Sequence, residues 1–282
     1  MDYGNPLRFG LSVTPTAAST EAIRDLVRRA DRLGLDLVGV QDHPYQRRFL
    51  DTWTLLSFVA ARTERITLLP DVINVPLRQP AVLAKAAASL DVLSGGRVEL
   101  GLGAGAFWEA VEAMGGPRRS PGESVQALEE AMRIVRAFLD VEPSVRLEGE
   151  HYRAAGAKPG PPPAHRIGLW VGAYRPRMLR LTGRLGDGWL PSIGGSYLPE
   201  DEVPERQRVI DEAARRAGRD PADIVRAANV GPAGSGHWLD TGHVADYAAR
   251  LRLDALLVSP PSQDPLAFIG ALGETAAVLR AS

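Results

Sequence analysis

Short apolar runs and longer amphipathic stretches alternate along this chain from end to end. Residues 8–13 and 37–40 are apolar and strand-length, and between them Ile23, Leu26, Val27, Ala30 and Leu33 recur at helical spacing. Thr20 is placed to cap that helix and Gly34 to stop it. The theme repeats: a helix over 51–62, a strand over 66–72, an alanine-rich helix over 80–93 with Pro at its first turn, and a strand over 97–103. Ser120-Pro121-Gly122-Glu123 is a capping box opening a long helix with Val125, Leu128, Met132, Val135 and Leu139 on one face. Residues 145–153 alternate around Gly149 and predict a small hairpin, and 158–163 a Pro/Gly loop. The second half brings strands at 167–171, 189–191, 224–230 and 255–258. Helices follow at about 176–185, 199–217, from Thr241 as cap, and from Pro265.

Eight strands, each followed by a helix, predict an α/β protein of the (β/α)8 TIM-barrel type, one domain over 1–282, with insertions after strands four and seven. A doubly wound sheet is the alternative, but no shift in composition marks the break it needs. The 282 residues, 45% hydrophobic, suffice for one barrel core. A net charge of −1 argues against a nucleic-acid or anionic-membrane surface. The absence of cysteine excludes disulfides, thiolate nucleophiles and thiolate metal sites. With Lys85 and Lys158 as the only lysines, one read in a helix and one in a loop, Schiff-base chemistry is disfavoured. No apolar run approaches the ~20 residues of a membrane span and the N-terminus has no signal core, so a cytoplasmic protein is expected.

In a barrel of this type the loops after the strands share one face, so site residues are sought there. After strand two come Asp42, His43 and Tyr45; after strand three, Asp71 and Val72; after strand four, Gly103, Ala104, Gly105, Phe107 and Trp108. After strand five come Gly172, Ala173, Tyr174 and Arg175. Gly103-Ala104-Gly105 leaves no large side chain in the way of a flat ligand. A dinucleotide reading of Gly101 to Ala106 is weak, because the run follows a fourth strand instead of opening a βαβ unit. No His-Glu-x-x-His, Gly-x-Ser-x-Gly or phosphate-loop motif occurs. Asp42 has a plain alternative as a turn cap, and Tyr45, Trp108 and Tyr174 as packing aromatics. Trp53 and Trp189 read as packing residues. The glycine-rich 229–242 segment is a candidate substrate loop or a plain surface loop.

Asp42-His43-Pro44, Asn74 with Pro76-Leu77-Arg78-Gln79-Pro80, Leu90-Asp91 with Ser94-Gly95-Gly96-Arg97, Gly101 to Gly105, residues 183–189 and 218–221 stand in this order. Together they resemble the bacterial luciferase-like family of flavin- and deazaflavin-dependent oxidoreductases. The resemblance implies a ring cofactor in the barrel mouth, coenzyme F420 in preference to FMN, and a non-proline cis peptide at Asp71-Val72 against the ring. It implies that Asp42, Asp71, Val72, Gly103, Ala104, Gly105, Gly172, Ala173, Tyr174 and Arg175 bind the cofactor. The 172–175 loop would hold its phosphate through backbone N–H groups and Arg175. His43 is the expected proton donor or acceptor, and Tyr45, Phe107 and Trp108 the substrate pocket. A small-molecule substrate and a homodimer are expected. FMN in place of F420 would imply an oxygen-dependent monooxygenase fed by a separate flavin reductase, and a silent flavin-binding barrel is a third reading. Ala106 and Arg47 stand where the sugar-phosphate dehydrogenase branch has an acid and a tryptophan, which argues against that substrate.

Overall fold

The computed structural model describes residues 5–232 and 237–281. Its strands in chain order are β1 (Arg8–Val13), β2 (Leu37–Val40), β3 (Thr67–Pro70), β4 (Ile73–Asn74), β5 (Leu100–Gly103), β6 (Val145–Glu148), β7 (Arg153–Ala157), β8 (Leu169–Val171), β9 (Gly188–Trp189), β10 (Ser192–Ile193), β11 (Val225–Pro232) and β12 (Ala255–Ser259). The large sheet runs β3-β2-β1-β12-β11-β9-β8-β5-β4, with β10 also beside β11, and its pairings are parallel. Leu68 N–H donates to Arg97 O at 2.7 Å and Glu99 N–H to Leu68 O at 3.0 Å, which joins β3 to the approach of β5 and closes the ring.

Two strand positions predicted as continuous are broken. The third divides into β3 and β4 around a cis Asp71-Val72 peptide, as expected from the resemblance, and the sixth into β9 and β10. Counting each divided position once, the described residues form an eight-position barrel. The predicted insertion after strand four is present. It holds α4 (Trp108–Ala113), α5 (Pro121–Leu139) and the antiparallel β6–β7 hairpin. The Glu130 carboxylate on α5 accepts the N–H groups of Glu150, His151 and Tyr152 at 3.1, 2.8 and 2.9 Å, and so fixes the hairpin turn. Of the predicted insertion after strand seven, residues 233–236 lie outside the described residues.

The core has two layers. Leu37, Leu69, Trp170, Leu190, Ala227, Ala255 and Leu257 meet inside the barrel, while the larger cluster packs the outer strand faces against the helices. Strand alternation produces this division: in β2, Leu37 joins the inner group and Val38 the outer.

The helices α1 (Thr20–Arg32), α2 (Thr52–Ala60), α3 (Pro80–Ser94), α6 (Pro176–Leu185), α7 (Val203–Arg216), α8 (Thr241–Leu251) and α9 (Pro265–Ala281) follow the predicted pattern. The Ser120 capping box is formed on both sides. Two predicted caps are corrected. Ser19, not Thr20, occupies the cap position of α1, and the Thr20 hydroxyl donates to Ala17 O at 2.7 Å. Asp240, not Thr241, caps α8, accepting from His243 N–H at 2.6 Å.

The residues leading into the strands form a polar knot. Arg97 is buried, and its guanidinium donates to the carbonyls of Ala60, Thr63, Ile66 and Ser94. Asp91, wholly buried on α3, accepts from the N–H groups of Val98, Ala164 and His165 and shares a 2.8 Å contact with His165 Nδ1. The Asp91 to Arg97 run is therefore a structural clasp at the end opposite the strand-end loops, and only its continuation at Gly103 to Gly105 reaches the mouth.

Candidate active site in the barrel mouth

The loop after β2 places Asp42 and His43 side by side with opposite surroundings. Asp42 is 3% exposed, and its carboxylate accepts from Asn74 N–H at 2.9 Å and from the Arg78 guanidinium at 2.9 and 3.2 Å. Arg78 also reaches Asp51, the cap of α2, at 2.7 Å. Asp42 thus ties the loop after β2 to the segment after β4. Its oxygens are engaged by the protein.

His43 is half-buried. Its Nδ1 lies 2.8 Å from the Tyr45 hydroxyl, and its ring sits among Tyr45, Phe49 and Phe107 with centroids 5.6, 6.0 and 6.4 Å away for Tyr45, Phe107 and Phe49. Burial holds the imidazole below its ordinary pKa, while the Asp42 charge pulls it partway back. Its surroundings therefore favour the neutral imidazole. Phe107 adopts a left-handed backbone (φ 55°) and is 65% exposed, yet its ring stands 5.8 Å from Tyr45. An exposed phenylalanine held beside two polar rings makes an apolar wall open to solvent.

The wall made by β3, β4, β5 and β8 is shaped by Val72. A Cβ on Gly103 would fall 2.8 Å from Val72 Cγ2, and one on Gly172 3.2 Å from the same atom. These glycines let Val72 sit between the strands. Gly105 (φ +100°) brings its backbone against Pro76 and Trp108, which opens α4. Gly103, Ala104 and Gly105 thus admit protein side chains on one side as well as leaving the loop free of bulk.

Next to the bulge, Asp71 Oδ1 accepts from Asn229 Nδ2 at 2.9 Å across the barrel. Asp71 Oδ2, Asn229 Oδ1 and Asn74 Oδ1 are buried acceptors without a hydrogen-bond partner among the described residues. Burial pushes the Asp71 carboxyl up to about 6, against the stabilising bond from Asn229. Tyr174 reaches the same region: its hydroxyl accepts from Ser192 N–H at 2.8 Å, and the Asp71 charge contributes to raising its pKa behind the larger effect of burial.

In the loop after β8, Gly172 N–H is committed to Leu102 O at 3.1 Å and Ala173 O accepts from Trp189 Nε1 at 2.8 Å. Trp189 packs as predicted, and its indole also fixes this loop. Arg175 stands at the N-cap position of α6 with extended backbone and an exposed side chain, and Arg177 two residues on is exposed as well. A helix N-terminus flanked by arginines suits an anion.

The strand-end residues chosen from the sequence therefore do share one face, and His43, Tyr45 and Phe107 form one cluster. Trp108 packs on Gly105 instead of joining it. Asn74, Ser192 and Asn229 complete the mouth without having been singled out as site residues. An asparagine within the apolar run Ala227-Ala228-Asn229-Val230 is the sequence signal that could have found one of them. No group of metal-ligating side chains occurs among the described residues. No described helix is long and apolar enough to cross a membrane.

The family model for luciferase-like monooxygenases matches residues 1–234. The chain belongs to the luciferase-like monooxygenase family. Within it, an F420-dependent glucose-6-phosphate dehydrogenase of Intrasporangium calvum is 34% identical over 233 residues, covering 79% of this chain and 69% of that protein. A 5,10-methylenetetrahydromethanopterin reductase of Archaeoglobus fulgidus is 32% identical over 226 residues, covering 79% and 64%. The chain thus spans about two thirds of the length of these relatives. In structure, the barrel matches the coenzyme F420-dependent tetrahydromethanopterin reductase of Methanopyrus kandleri with a TM-score of 0.80 at 19% identity, over 96% of this chain and 98% of that one. It matches a monooxygenase of Streptomyces bottropensis equally well, with a TM-score of 0.80 at 20% identity over 95% and 98%. At these identities the structural likeness establishes the luciferase-like fold.

Proposed function

We propose that this luciferase-like protein is an oxidoreductase that transfers hydride between the deazaflavin coenzyme F420 and a small organic substrate, with His43 as the proton donor or acceptor. The observation that carries the reading is the half-buried His43, held against Tyr45 and walled by Phe107, at the same barrel mouth as the Val72 bulge. The similarity to two relatives named for F420- or methanopterin-linked reactions favours the deazaflavin.

The residues present fit a flat ring with a polar edge. Val72, Gly103, Ala104 and Gly105 offer a wall without charge, and Asn74 Oδ1 is a buried acceptor suited to a ring N–H. Arg175 and the start of α6 suit an anionic tail. When bound, the cofactor supplies the hydride chemistry, and the protein supplies orientation and proton management. Asp42, engaged by Arg78, acts by fixing the loop that carries His43. Ala106 adds no acid beyond the glycines, which argues against a sugar phosphate as substrate. A homodimer is part of the proposal. FMN with oxygen and a separate reductase, or a silent flavin-binding barrel, are the competing outcomes of the test.

Assays of the full chain with F420 against a panel of carbonyl, imine and alcohol substrates test the reading. Turnover is expected in the wild type, and His43→Gln should lower it by roughly 100-fold or more with cofactor affinity kept. Near-normal turnover in the variant removes His43 from the mechanism. Tight binding without turnover across the panel favours the silent barrel.

A further inference from the structure

We propose that Arg47 and Arg48 form an oxyanion subsite on the rim of the mouth. The substrate it selects is an organic anion, with an apolar skeleton against Tyr45 and Phe107 and a carboxylate or phosphate group held by the two guanidinium groups. The inference rests on the hydride-transfer reading above only in calling the ligand a substrate, and it names that substrate's charge.

The loop after β2 leaves His43 in two tight turns: Gln46 N–H donates to His43 O at 2.8 Å and Phe49 N–H to Gln46 O at 2.9 Å. Tyr45 and Phe49 both pack on the His43 ring, so residues 46–48 lie between two side chains that touch it. The segment is pinned to the loop after β1, where Ala17 N–H donates to Arg48 O and Leu50 N–H to Pro15 O, each at 2.8 Å. Its backbone is thus fixed, while Gln46, Arg47 and Arg48 are exposed and line an open depression of about 630 Å3. Two like charges share that depression. The acids nearest in the chain, Asp42 and Asp51, are both engaged by Arg78, at 2.9 and 2.7 Å. Neither Arg47 nor Arg48 makes a side-chain hydrogen bond or ion pair among the described residues. Arg133, Arg208 and Arg250, exposed like them, each meet a glutamate. An oxyanion between the two guanidinium groups offsets their repulsion and accepts their forked donors. The exposed Phe107 ring, 5.8 Å from Tyr45, sets an apolar wall beside this charge, which suits an anion with a carbon skeleton better than a free inorganic ion. The start of α6, which suits the cofactor's anionic tail, follows β8, three strand positions around the ring from β2. Tail and substrate therefore have separate basic groups.

Titration calorimetry of the full chain, with and without F420, tests the subsite, using benzoate, phenyl phosphate and the uncharged benzamide as probes. At least one of the anions should bind about tenfold or more tighter than benzamide, and added salt should weaken the anion alone. Which anion is preferred separates a carboxylate substrate from a phosphate. The double variant Arg47→Gln, Arg48→Gln should abolish the preference for the anion while benzamide and F420 bind as in the wild type. The double variant Arg47→Lys, Arg48→Lys keeps the charges without the fork and should retain part of the preference. Both side chains are exposed, so the variants should unfold thermally as the wild type does. Benzamide binding as tightly as both anions overturns the proposal, and so does anion binding unchanged in the glutamine variant. A glutamine variant that loses F420 affinity also overturns it, because the arginines then serve the cofactor. Each of these failures leaves the hydride-transfer reading standing. Conversely, absence of turnover with F420 defeats that reading and leaves the anion subsite intact.

Discussion

Burial strips the Asp71 carboxyl of hydration, and Asn229 returns a single hydrogen bond, so the acid titrates at about 6 instead of near 4. The folded state binds the proton more tightly than the unfolded chain does. Stability from this group is therefore whole below pH about 4, declines as pH rises to about 6, and is level beyond, a loss of about 3 kcal/mol for a shift of about two units. Asp71→Asn keeps the size and an acceptor for Asn229 but has no charge to bury. Urea unfolding at a series of pH values should show the decline in the wild type and lack it in the variant. Parallel curves would show that Asp71 does not carry it. At this scale the sequence revealed position better than partnership. His43, Asp42 and Asp71 were identifiable because they end barrel strands. The bond from Asp71 to Asn229 joins residues 158 apart in the chain, and no local spacing reports it. The engagement of Asp42 by Arg78 was hidden for the same reason.

Among the elements, strands and helices were legible because burial alternates as the sequence pattern requires, and α6 spans the predicted residues. The break at Asp71-Val72 was expected from the family resemblance, not from the pattern, and the break in the sixth strand position escaped altogether. Asp71-Val72 interrupts a run in which apolar residues resume at Val72-Ile73, and Leu190-Pro191 separates β9 from β10 within a stretch too short to show a period. The caps at Asp240 and Ser19 missed their predicted positions by one residue, where neighbouring residues of similar capping power compete. The Asp91 to Arg97 run, one of the segments that carry the family resemblance, works at the opposite end by holding α2, α3 and the starts of β3, β5 and β8 together. Arg97→Ala should strand the carbonyls of Ala60, Thr63, Ile66 and Ser94 and cost at least about 3 kcal/mol in chemical denaturation. A loss below about 1 kcal/mol would mean that water replaces the guanidinium without penalty.

For the whole molecule, the barrel separates stability from chemistry along its axis. The clasp of Asp91, Arg97 and His165 lies before the strands. There, Glu99 and Asp91 keep the His165 imidazole protonated up to about 8. His43, Tyr45, Asp71, Asn74 and Asn229 lie after the strands, where the described structure leaves buried acceptors unmet and an aromatic wall open. That asymmetry, in a chain of the luciferase-like family, is the basis for assigning a ring cofactor to the mouth. The most direct measurement is a fluorescence titration of the purified apoprotein with F420 and, separately, with FMN. The account predicts saturable binding of F420 at least tenfold tighter than FMN, weakened when Gly103→Val drives a side chain against Val72. Tighter binding of FMN, or no saturable binding of either ring, would contradict it.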